Sequence, residues 1–314
     1  MAAGRLYDMN HLRRPIWKYH CEWTDSNPVP KSGRWIKLDD NPTTAAVAAA
    51  WQHLYQIRTN GNILKYDALL NFDQTPSATW LLIDHWHESV AIAATDNDLY
   101  QLHRTGRIWK WNGTPSSWQL IHDFSNCTAS IHAASGFLYQ THVNGQVWMY
   151  TGTPHVWTCV SATPAVVDSI VMSGKCFFML TRGGDIKRDA YCGKAPPPAN
   201  QKLYDVESDK QTKMIAASGN ALYALQNNGV ICKAVVSLGP QVHEKTIWHL
   251  WCTLGTAKFI TVAPIRADGW GEHHLFAVDR DGSVRMHVGG RWHNIGESGD
   301  YSVVVATSHC LYRV

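Results

Sequence analysis

Small and β-branched residues alternate with apolar-aromatic runs along this chain in a fixed order. The clearest unit reads Val90-Ala91-Ile92-Ala93-Ala94, then Leu99-Tyr100-Gln101-Leu102-His103, a Gly106 turn, Ile108-Trp109-Lys110-Trp111, and Trp118-Gln119-Leu120-Ile121. Each run is strand-length, and residues alternate between two faces with the period of a pleated strand. Four such strands recurring about every forty residues predict the blades of a β-propeller.

The small-residue strand recurs seven times, at residues 45–50, 90–94, 130–134, 169–172, 214–217, 259–263 and 302–306. Small side chains suit the crowded centre of a ring. The second strands follow at 54–57, 99–102, 138–141, 177–180, 222–225, 275–278 and 311–314. Six of them run into a turn with glycine, and Asn60-Gly61, Asn144-Gly145, Asn228-Gly229 and Asp281-Gly282 are tight-turn pairs that tolerate positive φ. The seventh copy stops at Val314, but Pro15-Ile16-Trp17-Lys18-Tyr19 and Arg34-Trp35-Ile36-Lys37-Leu38 match the third- and fourth-strand patterns. The expected fold is therefore all-β, a single propeller domain over residues 1–314 with seven four-stranded blades, closed by pairing N- and C-terminal strands in one blade.

Composition adds exclusions. Charged residues are 17% of the chain and the formal net charge is +3, without a basic stripe, so nucleic acid is not an expected partner. No run of 18 apolar residues suggests a membrane span, and the first residues lack a basic segment followed by an apolar one, so a cytoplasmic location is expected. Eight cysteines carry no C-x-x-C pair and are expected as reduced, buried small hydrophobes.

The motif from Leu99 to Pro115, and a second copy from Leu138 to Pro154, resemble tectonin-type propellers and seven-bladed fucose-binding lectins. That resemblance implies sugar pockets repeated around the ring. The aromatic third strand nevertheless changes elsewhere to Ile63-Leu64-Lys65-Tyr66, Ile186-Lys187-Arg188-Asp189, Ile231-Cys232-Lys233-Ala234 and Val284-Arg285-Met286-His287. A ring that keeps its strands while its platforms decay suits one asymmetric site. In this respect the chain resembles the lectin-like hetero-Diels-Alderases of fungal tropolonic sesquiterpenoid biosynthesis. That second resemblance implies a cofactor-free enzyme, a pericyclase joining a tropolone-derived quinone methide to a polyene terpene, with an apolar or aromatic small-molecule substrate. A glycan-binding lectin without catalysis is the alternative.

In a propeller, the links between blades and the turns between second and third strands share one face, where a ligand site is expected. There the sequence places Asp84-His85-Trp86-His87-Glu88, His122-Asp123-Phe124-Ser125-Asn126, and turn residues His103, Arg104, His142, Arg182 and Arg280. His85, His87, His122 and Asp123 are the candidate proton-transfer residues, because imidazole and carboxylate groups can move a proton. Trp86, Phe124 and Trp270 are candidate stacking surfaces, and Arg104, Arg182 and Arg280 could hold a carbonyl or tropolone oxygen. His85 and His87 form a His-x-His pair, but spacing supplies no third ligand, so no metal is expected. Most tryptophans recur in strand register and are expected to pack between blades, whereas Trp51, Trp86, Trp248, Trp251 and Trp270 lie outside that register. No Ser-His-Asp order, phosphate loop or H-E-x-x-H motif is present.

Overall fold

The inner strands of seven sheets touch in a closed cycle, each packing against the next and the seventh returning to the first. Every sheet has four antiparallel strands. The computed structural model describes residues 15–21, 33–50, 53–67, 79–123, 127–134, 136–162, 166–173, 176–189, 203–207, 211–219, 221–235, 248–253, 257–262, 274–288, 290–296, 299, 303–306 and 311–314. Blades one to six run consecutively from Thr44–Ala50, the inner strand of blade one, to Arg291–Gly296, the outer strand of blade six. Blade seven combines Val304–Ala306 and Leu311–Arg313 with Ile16–Cys21 and Gly33–Asp39. Trp17 pairs with Arg313 and Tyr19 with Leu311, so strands from both ends of the sequence close the ring.

The Leu-Tyr pair of the second strand explains how the blades pack. Its aromatic member is Tyr55, Tyr100, Tyr139, Phe178, Tyr223, Phe276 or Tyr312, and all seven are buried. A buried aromatic ring removes a large apolar area from water, and these rings fill the wedge between neighbouring sheets. Tyr55 meets Trp111 of the next blade edge-on at 6.3 Å, and Tyr100 meets Tyr150 in the same way at 6.3 Å. Toward the axis, Ala46, Ala48, Ala91, Ala93, Ala133 and Ala217 leave room for seven strands to converge.

Tryptophans of three outer strands tie their blades to the ones before. The indole N–H of Trp80 donates to Leu38 O at 3.2 Å, that of Trp157 to Ile121 O at 3.1 Å, and that of Trp35 to Ile295 O at 2.8 Å. Trp248, expected outside this register, lies on the outer strand of blade five, Trp248–Thr253, with Trp251. It pairs with Ala234 as Trp118 pairs with Trp111. A third strand that had lost its aromatics hid the repeat there. Cys176 also departs from expectation: it is buried and disulfide-bonded. Cys127, Cys159 and Cys232 carry thiols outside any disulfide.

Burial of the blade tyrosines has a consequence at high pH. Desolvation, reinforced by the Asp98 charge, pushes Tyr55 up to about 12 and raises Tyr100 further, with Tyr100 Oη donating to Asp98 Oδ2 at 3.1 Å. A phenol that ionises later in the fold than in the unfolded chain contributes stability that is full below its ordinary value near 10. That contribution is lost as pH rises toward the folded value. Thermal stability should therefore hold up to about pH 10 and then fall. Native phenolate absorbance should lag that of the denatured chain; coincident titrations would contradict this account.

Candidate functional site

Three blade junctions share a polar clamp built around a buried glutamine. In blade two, Gln101 Nε2 donates to Asp84 Oδ2 at 2.8 Å, and its Oε1 accepts the Ser89 hydroxyl at 2.5 Å. In blade one, Gln56 Nε2 donates to Asp39 Oδ2 at 2.7 Å, and its Oε1 accepts from Thr44 Oγ1 at 2.9 Å. In blade three the partner of Gln140 is His122, with Gln140 Nε2 3.4 Å from Nδ1, and Thr128 Oγ1 donates to Gln140 Oε1 at 2.8 Å. Each clamp joins the end of one blade's outer strand to the first two strands of the next. The second strands of blades four to seven carry Met179, Ala224, Ala277 and Arg313 at this position in place of glutamine.

Asp84 also fixes the link that follows it. Its Oδ1 accepts the backbone N–H groups of His85 at 2.8 Å and Trp86 at 3.3 Å. The far end is held by Arg104 N–H, which donates to Glu88 O at 2.8 Å, and His87 Nδ1–H donates to Asn60 O at 2.8 Å. The segment is thereby pinned across blades one and two, and it presents Trp86 half-exposed, at 53%. Under that indole lie His103, with ring centroids 5.7 Å apart, and Trp109 at 6.2 Å. His103 is buried, and desolvation lowers its basicity although Asp84 and Glu88 pull the other way. The imidazole is therefore a neutral, planar support for the platform.

Gly61 shows how closely the turn and link approach. Its φ is +86°, and a Cβ there would sit 2.5 Å from Trp86 O and 2.8 Å from His87 Cα. Both the left-handed backbone and the contact exclude a side chain. Gly61→Ala should cost about 2 kcal/mol or more and change the fluorescence of Trp86. An unchanged melting temperature would refute the close approach.

At the next junction His142 stacks on Trp148 at 5.6 Å, repeating the His103–Trp109 pair, whose rings lie 5.7 Å apart. His122 is buried, and desolvation, then the neighbouring His142 and His155, push it down to about 4. It is neutral at physiological pH, held by Gln140 and 3.4 Å from the Cys127 sulfur. Asp123 turns outward to an exposed ion pair with Arg107 at 2.7 Å.

His85, Trp86 and His87 share one exposed link, while His122 and Asp123 belong to the next junction. Arg104, Arg182 and Arg280 are exposed on the hairpins of blades two, four and six, so an intervening blade separates each from the next. Phe124 and Trp270 lie outside the described residues, as does Trp51. Sequence reading passed over Gln56, Gln101 and Gln140 as strand residues and did not pick out Cys127. A signal existed: a glutamine recurring inside an apolar strand, seventeen or eighteen residues after Asp39, Asp84 or His122.

Several solved propellers are similar to this chain. Prp20p from Saccharomyces cerevisiae aligns with a TM-score of 0.64 at 13% identity, over 99% of this chain and 92% of that one. The likeness is one of fold. Human WBSCR16 aligns at 0.63 with 10% identity over 95% and 98% of the two chains, and YCF48 from Cyanidioschyzon merolae at 0.55 with 9% identity over 100% and 98%. The chain is thus a seven-bladed propeller similar to RCC1-like and YCF48 propellers. No protein-family model matches it, and no curated protein does.

Proposed function

We propose that this propeller binds a small ligand with a flat, largely apolar face on Trp86, and that it acts as a cofactor-free intermolecular hetero-Diels-Alderase. The observation that carries the reading is the asymmetry of the platform. A half-exposed indole supported by His103 and Trp109 stands at the junction of blades one and two, and the next junction repeats the His–Trp pair without an equivalent link tryptophan among the described residues. In this reading a hydroxymethyl tropolone loses water, its C–O bond breaking as an imidazole of His85 or His87 protonates the leaving hydroxyl. The ring hydroxyl gives up its proton to solvent, and an o-quinone methide results. Its oxygen-containing diene and an alkene of a polyene terpene then form one C–C and one C–O bond, with no leaving group. Arg104, exposed beside the link, would receive the tropolone oxygen. Holding two reactants in an attack geometry can supply about 7 to 11 kcal/mol, so the step needs no nucleophile.

The second reading, a fucose-type lectin, draws support from the repetition of the His–Trp pair in blades two and three. Incubating the protein with a quinone-methide precursor and a polyene, with product enantiomers resolved by chiral chromatography, separates the two. Enantioenriched adduct and one calorimetric site for the precursor support the cycloaddition. A racemic adduct at the background rate, with several equivalent sites for L-fucose, replaces it with the lectin.

A further inference from the structure

Five junctions between blades share three equivalent positions. The first ends an outer strand and pairs with the start of the neighbouring third strand: Asp39 with Ile16, Asp84 with Ile63, His122 with Ile108, Ser161 with Val147, Glu207 with Ile186. The second is the link residue whose carbonyl accepts from the hairpin: Thr43, Glu88, Cys127, Val166 and Gln211. The third is the last residue of the second strand: Arg58, His103, His142, Thr181 and Gln226. The backbone thus offers three corresponding positions at each of these junctions. Only between blades two and three are they His, Cys and His.

We propose that His122, Cys127 and His142 form a binding site for a borderline-soft transition-metal ion of the zinc class. One donor atom from each residue lies within 4.8 Å of the other two. His122 Nε2 and Cys127 Sγ are 3.4 Å apart. Two such ligands on a tetrahedral zinc ion stand about 3.6 Å apart, given bond lengths near 2.0–2.1 Å to nitrogen and 2.3 Å to sulfur. His142 completes the set from the next blade's second strand, and its Nε2 is buried with no hydrogen-bond partner among the described residues. A nitrogen and thiolate donor set favours zinc-class ions over calcium or magnesium, which take oxygen ligands.

Gln140 supplies the outer support that a metal-bound imidazole requires. With His122 Nε2 on the ion, Nδ1 carries the proton and needs an acceptor. Rotation of the Gln140 amide turns its oxygen to Nδ1–H and its NH2 to the Thr128 hydroxyl, which can accept. At the blade one–two junction the same positions hold Asp84, Glu88 and His103, but both Asp84 oxygens are already engaged by Gln101 and the link backbone. Among the described residues no fourth histidine, cysteine or carboxylate joins the group.

The test is cobalt titration of the full chain, reduced and stripped with chelator, followed by displacement with zinc. The expected result is one equivalent of cobalt bound, a thiolate-to-cobalt charge-transfer band in the near ultraviolet, and loss of that band when zinc is added. Cys127→Ser should abolish the band and His142→Ala should weaken cobalt binding by more than about tenfold, whereas Cys232→Ser should leave both unchanged. Zinc should raise the melting temperature of the parent protein but not of Cys127→Ser, provided that variant gives the parent circular dichroism. Absence of the band in the folded parent protein, or its persistence in Cys127→Ser, would overturn the proposal.

Discussion

Replacing Gln101 with leucine should lower the stability of the propeller by about 3 kcal/mol, a fall of roughly 6 °C in melting temperature for a chain of this size. The glutamine is 1% exposed, and its amide N–H is the side-chain donor to a carboxylate that is itself 1% exposed. Leucine fills much of the space but leaves Asp84 Oδ2 without that donor and the Ser89 hydroxyl without its acceptor. Removing one partner of a buried hydrogen bond costs more than the bond contributes, because the other partner stays desolvated. Asp84→Asn added to Gln101→Leu should restore part of the loss, since a neutral amide is less costly to bury. Thermal unfolding of the two single variants and the double variant checks this. If the effects add independently, the clamp is not a unit.

Trp86→Ala should have the opposite profile, a large effect on ligand binding and a small one on stability. A central tryptophan in a binding surface commonly contributes about 2 kcal/mol or more, so affinity for the precursor should fall roughly thirtyfold. The side chain is 53% exposed and lies over His103 and Trp109 rather than within a blade core. Its loss should therefore shift the melting temperature by only about 2 °C. Calorimetry with the quinone-methide precursor and a thermal scan measure the two effects. Unchanged affinity would move the ligand site away from this platform.

The two variants act on opposite ends of one device. Asp84 bonds Gln101 through one oxygen and the Trp86 link through the other, so the clamp that stabilises the junction also orients the platform. Gln101→Leu should consequently weaken ligand binding as well, whereas Trp86→Ala should leave the clamp intact.

Much of this was readable in the chain because strand chemistry is local. The Leu-Tyr pairs, the Asn-Gly and Asp-Gly turns and the small-residue runs each specify a short segment, and their order specifies a blade. Reading failed where the signal was a substitution within a repeat. Trp248 fell out of register because its partner in the ladder is Ala234, without the aromatic that marks Trp118 and Trp157. His122, a candidate acid or base by residue type, stands in the clamp position of Asp39 and Asp84, buried and neutral, a setting that its local sequence does not record. His85 and His87 are neighbours in sequence, whereas the donors that converge in space, His122, Cys127 and His142, are drawn from an outer strand, a link and the next blade's second strand.

The sequence by itself determined the number of blades, the strand order within them, and closure of the ring by both ends of the chain. Those features follow from the alternation of apolar and polar positions and from turn residues, which act over a few residues at a time. Only the tertiary structure decided which side chains meet at each junction. A junction combines the end of one sheet with the start of the next, up to twenty residues apart in the chain, and no local periodicity records that pairing. The tertiary structure also decided which of the described tryptophans faces solvent: those of the strands are partly buried, while Asp84, Asn60 and Arg104 pin the link that carries Trp86 outward.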